Sequence, residues 1–122
     1  MEEAKMAGYL TTHVLDTAQG CPGKGIKIDL YAIDGDNRTY VRSLETNDDG
    51  RTDSPILPKD EFKTGTYELV FHVGAYFDAA GIALPAPKFL DTVPLRFGMS
   101  EEAHYHVPLL VSPFSYSTYR GS

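Results

Sequence analysis

The sequence predicts an antiparallel β-sandwich of seven or eight short strands with a single short helix. Apolar and polar residues alternate in several short stretches, most clearly at 26–33, as in strands that bury one face. Turn-forming residues separate these stretches at hairpin spacing. Only one stretch, 75–83, has a composition that favours a helix. Many short strands with so little helix are typical of a sandwich rather than a mixed fold.

The individual elements follow from local composition. The first predicted strand, 9–15, is rich in β-branched and aromatic residues, and the Gly- and Pro-rich segment 16–25 is a predicted loop. Alternation at 26–33 places Ile26, Ile28 and Leu30 on one face. Segment 54–58 contains two prolines and is predicted to be an edge piece or a loop. The other predicted strands are 38–46, 64–74 (the longest), 92–97, 103–111 and 114–119.

Length and charge limit the possible functions. The 122 residues are expected to form one domain, 1–122, large enough to bury a core without a disulfide or a metal. The formal net charge is −6, from 17 acidic and 11 basic residues. We therefore expect no nucleic-acid partner, because binding to a phosphate backbone needs basic patches.

The sequence also bears on localisation. The amino terminus carries two glutamates and no apolar stretch of the kind found in signal peptides. No apolar run approaches the roughly 20 residues that span a bilayer, so we expect no membrane association. One cysteine, Cys21, excludes an internal disulfide framework. The cytoplasm is the expected location.

Histidines on two predicted strands are the main candidates for chemistry. Strand alternation places His104 and His106 on one face of their strand, and His13 shares a face with Tyr9 and Thr11. Arg51 follows directly from a predicted tight turn at 47–50. Imidazoles exchange protons near neutral pH, and a guanidinium offers a planar fork of donors to a carbonyl or an oxyanion.

Other interpretations of the histidines stay open at this point. His104 and His106, with His13 as a third ligand, could hold a metal ion and leave one position for water, although a nearby Arg51 disfavours a cation. His72 has no polar neighbour along its strand and is predicted to be either a hydrogen-bonded structural residue or a solvent-exposed one. The glycine-rich segment 20–25 lacks the hydroxyl residue and the helix of a phosphate-binding loop.

The last residues have an unusual composition for a terminus. Chain ends are usually loose unless something holds them, yet 116–122 contains two tyrosines, an arginine and several hydroxyl side chains. This composition favours an ordered segment that lines a site. The residues singled out here are Tyr119, Arg120, Gly121 and Ser122.

Three segments resemble the 5-hydroxyisourate hydrolase branch of the transthyretin superfamily. The first is LTTHVLDTAQG at 10–20, the second is TNDDGR at 46–51, and the third runs from HYHVPLL at 104–110 to YRGS at 119–122. They stand in the family's order and spacing and span almost the whole chain. The terminal tetrapeptide is the most specific of them.

The resemblance implies a transthyretin-like sandwich of two sheets, each of about four strands, assembled as a homotetramer with active sites between subunits. It implies hydrolysis of 5-hydroxyisourate, a product of urate oxidation, to a ureidoimidazoline carboxylate on the route to allantoin, with no metal or organic cofactor. The catalytic residues that it implies are His13, Arg51 and His106. His13, Arg51, Tyr119, Arg120, Gly121 and Ser122 would bind the substrate.

These residues lead to a mechanistic hypothesis. His106 orients and deprotonates a water molecule, His13 shares the proton transfer, and Arg51 stabilises the developing oxyanion. Tyr119 and Ser122 bind the substrate and close the pocket.

The main alternative is a transthyretin-like protein that binds a small ligand without catalysis, since the same fold serves as a hormone carrier. The resemblance disfavours it, because the carrier branch lacks these histidines, the arginine and the terminal tetrapeptide. Fold alone could not decide between the two.

Overall fold

The computed structural model describes residues 8–121 and contains eight strands, one α-helix and one short 3₁₀-helix. The 3₁₀-helix is Lys59–Glu61. The strands and the α-helix are β1 (Tyr9–Asp16), β2 (Cys21–Pro22), β3 (Lys27–Asp34), β4 (Asn37–Glu45), β5 (Gly65–Phe71), α1 (Val73–Ala79), β6 (Val93–Met99), β7 (His104–Ser112) and β8 (Ser115–Thr118).

The strands form two four-stranded sheets, which confirms the predicted sandwich. One sheet has the order β2-β1-β7-β8 and the other β4-β3-β5-β6. One pairing departs from the antiparallel expectation: β1 and β7 run parallel over eight residue pairs. Parallel neighbours need a long crossover connection, and here the whole second sheet supplies it. The first strand, β1, and the second-to-last strand, β7, therefore lie side by side in the centre of one sheet.

The core lies between the sheets and is built from alternate residues of each strand. Leu10 and Val14 of β1 and Leu109 and Val111 of β7 are fully buried, so Thr11 and His13, which alternate with the buried residues of β1, point to the opposite face. The second sheet and α1 contribute further side chains with no exposed surface, which are Ile28, Leu30, Leu69, Phe71, Val73, Phe77 and Val93. Burial of this inner face fixes which side chains remain available on the outer face of β1 and β7.

The single helix begins and ends earlier than the predicted range of 75–83. Gly81 explains its end, because its φ of 79° lies in the left-handed region that terminates helices.

His72 directly precedes the helix, and its Nε2 lies 2.8 Å from Oδ2 of Asp29. Of the two roles predicted for His72, the hydrogen-bonded structural one is thereby confirmed. None of the helices in the described part of the chain has the length and apolar character that a membrane-spanning helix needs.

Candidate active site

The histidines of β1 and β7 lie together on the outer face of their sheet. In the parallel register Tyr9 is opposite His104 and Thr11 is opposite His106. The ring centroids of His13 and His106 are 6.4 Å apart, and those of His104 and His106 are 6.2 Å apart. The three imidazoles therefore lie close together on one face of the sheet.

A threonine between the rings is a member of the site that the sequence analysis placed on this face but assigned no role. Thr11 Oγ1 lies 2.7 Å from His104 Nε2 and 2.8 Å from His106 Nδ1. The parallel pairing creates this contact, since it sets Thr11 directly opposite His106. A signal was present in the sequence, because Thr11 and His13 share a face, but the strand partner of β1 was not known.

Arg51 reaches the same face through a tight turn that docks on β1. The Asn47 side-chain carbonyl accepts hydrogen bonds from the backbone N–H groups of Asp49 and Arg51, at 2.9 and 3.2 Å. Gly50 has a φ of 77°, and a Cβ at this position would come within 2.4 Å of the Val14 carbonyl oxygen. Only glycine fits here. The turn thereby pairs Arg51 with His13 across an antiparallel bridge.

The turn also determines the protonation of His13. Its Nε2 lies 3.0 Å from the Asp49 carbonyl oxygen. Because a carbonyl only accepts, Nε2 carries the proton, and Nδ1 holds the free lone pair of the neutral ring. Burial and the positive charge of Arg51 lower the pKa of His13 below its ordinary value of 6.5, against the opposing effect of Asp49.

The environment of His106 favours its neutral form as well. Burial lowers the pKa of His106, and Arg51, His104 and His13 lower it further through their positive charge. The two imidazoles are therefore uncharged near neutral pH and available to accept a proton. Arg51 remains the cation of the site. This arrangement combines two bases with one electrophilic group.

Arg51, His104 and His106 border an open cleft of about 450 Å³. Tyr9 stacks on His104 at one end, with ring centroids 4.1 Å apart and an angle of 6° between the planes. A cleft of this size accommodates a small heterocycle. The residues that line it are Tyr9, Thr11, Thr12, Arg51, Thr52, His104 and His106.

The terminal segment contributes Gly121 beside the cleft. The Gly121 N–H donates to the His106 carbonyl oxygen at 2.7 Å. A Cβ on Gly121 would lie 2.8 Å from Cδ2 of the His106 ring, so the segment passes His106 at a distance that any side chain would obstruct. Ser122, which the sequence analysis also assigned to the substrate site, lies outside the described residues.

Tyr119 and Arg120 do not line the histidine cleft of their own chain. Both line a second cavity, of about 440 Å³, to which none of the histidines contributes. Arg120 Cζ lies 4.1 Å from the centroid of the buried Tyr105 ring, and 61% of Tyr119 is exposed. Within one chain, therefore, these two residues do not join His13, Arg51 and His106.

The three-histidine metal site left open by the sequence is not assembled in this arrangement. Residues 8–121 contain no group of three His, Cys, Asp or Glu side chains placed to hold a metal ion. Thr11 is hydrogen-bonded to one ring nitrogen of His104 and to one of His106. The geometry matches hydrogen-bonded acid–base groups better than a set of metal ligands.

Comparisons with known proteins agree with this site. The HIUase/Transthyretin family matches residues 10–121. The chain is 61% identical to 5-hydroxyisourate hydrolase 2 of Rhizobium meliloti, over 95% of this chain and 98% of that protein. The structure of Klebsiella pneumoniae 5-hydroxyisourate hydrolase is similar with a TM-score of 0.77 and 31% identity, over 94% of this chain and 99% of that one.

A larger protein contains a similar unit. The crystal structure of (S)-allantoin synthase matches with a TM-score of 0.88 and 47% identity. The match covers 96% of this chain but 44% of that one, so the chain spans less than half of that protein. With a family match over nearly all described residues and close relatives of the same length, the chain belongs to the HIUase/Transthyretin family.

Proposed function

We propose that this protein is a 5-hydroxyisourate hydrolase. The observation that carries the proposal is that Arg51 and His106 line one cleft with His13 beside both of them, and that burial and Arg51 favour the neutral form of both imidazoles. The names of its relatives in Rhizobium meliloti and Klebsiella pneumoniae support the same substrate. We also propose that residues 1–122 form a single domain of this type.

The proposed reaction opens the six-membered ring at an amide-like bond. His106 accepts a proton from water at Nε2, the ring nitrogen that Thr11 leaves free, and the water oxygen attacks the ring carbonyl carbon. Arg51 donates to the carbonyl oxygen and stabilises its negative charge. The carbon–nitrogen bond then breaks, and the leaving nitrogen receives the proton that His106 took from water. His13 shares this transfer through Nδ1, the nitrogen left free by its bond to Asp49.

We propose that the protein acts as a homotetramer with its sites at subunit interfaces. All residues of β8 are exposed, and β8 is bonded to β7 on one side only. An unpaired edge strand of this kind is a template for pairing with another chain. Tyr116, on β8, and Phe114, beside it, are large apolar residues with 44% and 61% of their surface exposed, which supports burial by a second copy.

Assembly would also give the terminal residues a role in the site. Tyr119 and Arg120 lie outside the histidine cleft of their own chain, and a neighbouring subunit offers a second cleft for them and for Gly121 and Ser122. Multi-angle light scattering should give the mass of four chains of 13.5 kDa. A monomeric mass in a fully active sample would contradict the shared site.

The cytoplasm is our proposed location. Among the described residues the cysteine content is one exposed free thiol, Cys21, which is compatible with a reducing compartment.

The activity is tested with 5-hydroxyisourate that is generated in situ. Urate oxidase converts urate to 5-hydroxyisourate, and its decay is followed by ultraviolet absorbance with no added protein, with this protein, and with protein treated with a chelator. We expect decay far faster than the spontaneous reaction and equal in the last two samples. A folded protein that produces no acceleration would contradict the proposed hydrolase and favour a binding function. Loss of activity on chelation would instead indicate a metal.

A further inference from the structure

The Thr11 hydroxyl is shared between two imidazoles. Its oxygen lies 2.7 Å from His104 Nε2 and 2.8 Å from His106 Nδ1, both within hydrogen-bond distance. A hydroxyl has one proton, so it donates to one ring and accepts from the other. The protonation of one histidine is therefore tied to that of the other.

Two arrangements satisfy both hydrogen bonds. In the first, His106 Nδ1–H donates to Thr11, Thr11 donates to His104 Nε2, and His106 Nε2 keeps its lone pair. In the second, His104 Nε2–H donates to Thr11, Thr11 donates to His106 Nδ1, and His106 Nε2 carries a proton. The first presents a base to the cleft and the second presents an acid. Hydrolysis of a cyclic amide needs both, one after the other.

We propose that Thr11 and His104 are positioning residues that form a proton relay behind His106 and set which of its nitrogens carries the proton. The inference rests on the proposed hydrolase function and deepens it. It assigns Thr11 and His104, which the mechanism above does not use, to the base step and the acid step of the same reaction.

The steps balance with water and substrate alone. When His106 Nε2 takes a proton from water, its Nδ1 proton passes to Thr11 Oγ1, and the Thr11 proton passes to His104 Nε2. His106 is then neutral with a proton on Nε2, and His104 holds the positive charge. As the ring carbon–nitrogen bond breaks, the Nε2 proton of His106 moves to the leaving nitrogen. The relay then runs in reverse and restores the first arrangement.

The surroundings support charge on His104 rather than on His106. The charge of Arg51 lowers the pKa of His106, so a relay that passes the proton on to His104 leaves the His106 ring neutral beside this cation. Tyr9 lies flat against the His104 ring and holds its orientation. An aromatic face of this kind also favours a cation placed against it.

A purely structural role for Thr11 does not explain its contacts. The β1–β7 pair already has a backbone register of eight residue pairs. The nearby Thr12 and Thr17 use their hydroxyls to bond backbone carbonyls, those of Val107 and Val111. Thr11 bonds only to side chains, and both are imidazoles.

The test compares Thr11→Val, which removes the hydroxyl at similar volume, with Thr11→Ser, which keeps it. We expect Thr11→Val to lower kcat by about 10- to 100-fold with KM within about twofold, and Thr11→Ser to restore most of the loss. Thr17→Val is the matched control, because it removes a threonine bond across the same strand pair without touching a histidine. Its kcat should equal that of the unaltered protein.

Two further measurements make the outcome decisive. Nitrogen-15 NMR of the His106 ring should show a changed balance of Nδ1–H and Nε2–H forms in Thr11→Val and an unchanged one in Thr17→Val. In a double-mutant cycle, His104→Phe by itself should lower kcat but should cause no further loss in the Thr11→Val background.

The relay would be overturned if the two substitutions gave independent, multiplicative losses, or if the balance of protonated forms of the His106 ring were unchanged in Thr11→Val. Failure of the hydrolase proposal is distinguishable, since the unaltered protein would then be inactive while the ring signals still report the hydrogen bonds.

Discussion

Replacing His106 with asparagine should lower kcat by about 100- to 10,000-fold, the range spanned by general acid–base catalysis. The asparagine side chain places a polar atom near the position of Nδ1, so the contact with Thr11 is retained. Asparagine has no atom at the position that Nε2 occupies in His106, and its amide does not accept a proton near pH 7. The variant therefore removes the proposed base while disturbing its neighbours as little as possible.

The experiment measures steady-state decay of freshly made 5-hydroxyisourate together with the mass of the assembly. His72→Asn is the control, because His72 is bonded to Asp29 on the other sheet. It should lower stability and leave kcat unchanged. Near-normal turnover by His106→Asn, in a correctly folded sample, would refute the assignment of His106 as the base.

Replacing Arg51 with methionine should lower kcat by about 100- to 1,000-fold, as the loss of an oxyanion donor does in other enzymes. It should also change the pH dependence. Arg51 lowers the pKa of His13 and of His106, so its removal raises both values. Since the neutral rings are the active form, the acid limb of the kcat/KM profile should move to higher pH.

Arg51→Lys separates the two effects of this residue. Lysine keeps the positive charge but lacks the planar fork, so kcat should fall while the acid limb stays where it is. Arg38→Met is the control for net charge, because Arg38 is paired with Glu68 on the other sheet, at 3.0 Å. It should alter neither quantity. An acid limb that is identical in Arg51→Met and the unaltered protein would show that Arg51 does not act on the histidines.

The sequence predicted the positions of the strands better than it predicted which strands lie side by side in a sheet. Alternation located the buried face of β3, because the core imposes a period of two on a strand that buries one side. It carried no information on which strand lies beside β1. The parallel β1–β7 pair joins segments more than 90 residues apart, and no local pattern specifies such a contact.

For the candidate site, too, the sequence identified residues but not the contacts that depend on strand pairing. Residue type and strand face were sufficient to single out His13, Arg51 and His106 as candidates, and the structure places His13 beside Arg51 and near His106. The role of Thr11 required the register of β1 against β7. The contacts of Tyr119 and Arg120 with substrate remain a prediction, since in one chain they line a different cavity, and alternation in β8 contains no information on a neighbouring subunit.

The side-by-side position of β1 and β7 makes the order of events during folding important for activity. Thr11 meets its two histidines across separations of 93 and 95 residues, and closing so long a loop is slow compared with forming local hairpins. The hairpin of β3 and β4 can form while β7 is still being synthesised at the ribosome. The histidine cleft has no precursor in such a partial chain, so catalytic activity is acquired only when β1 and β7 have paired.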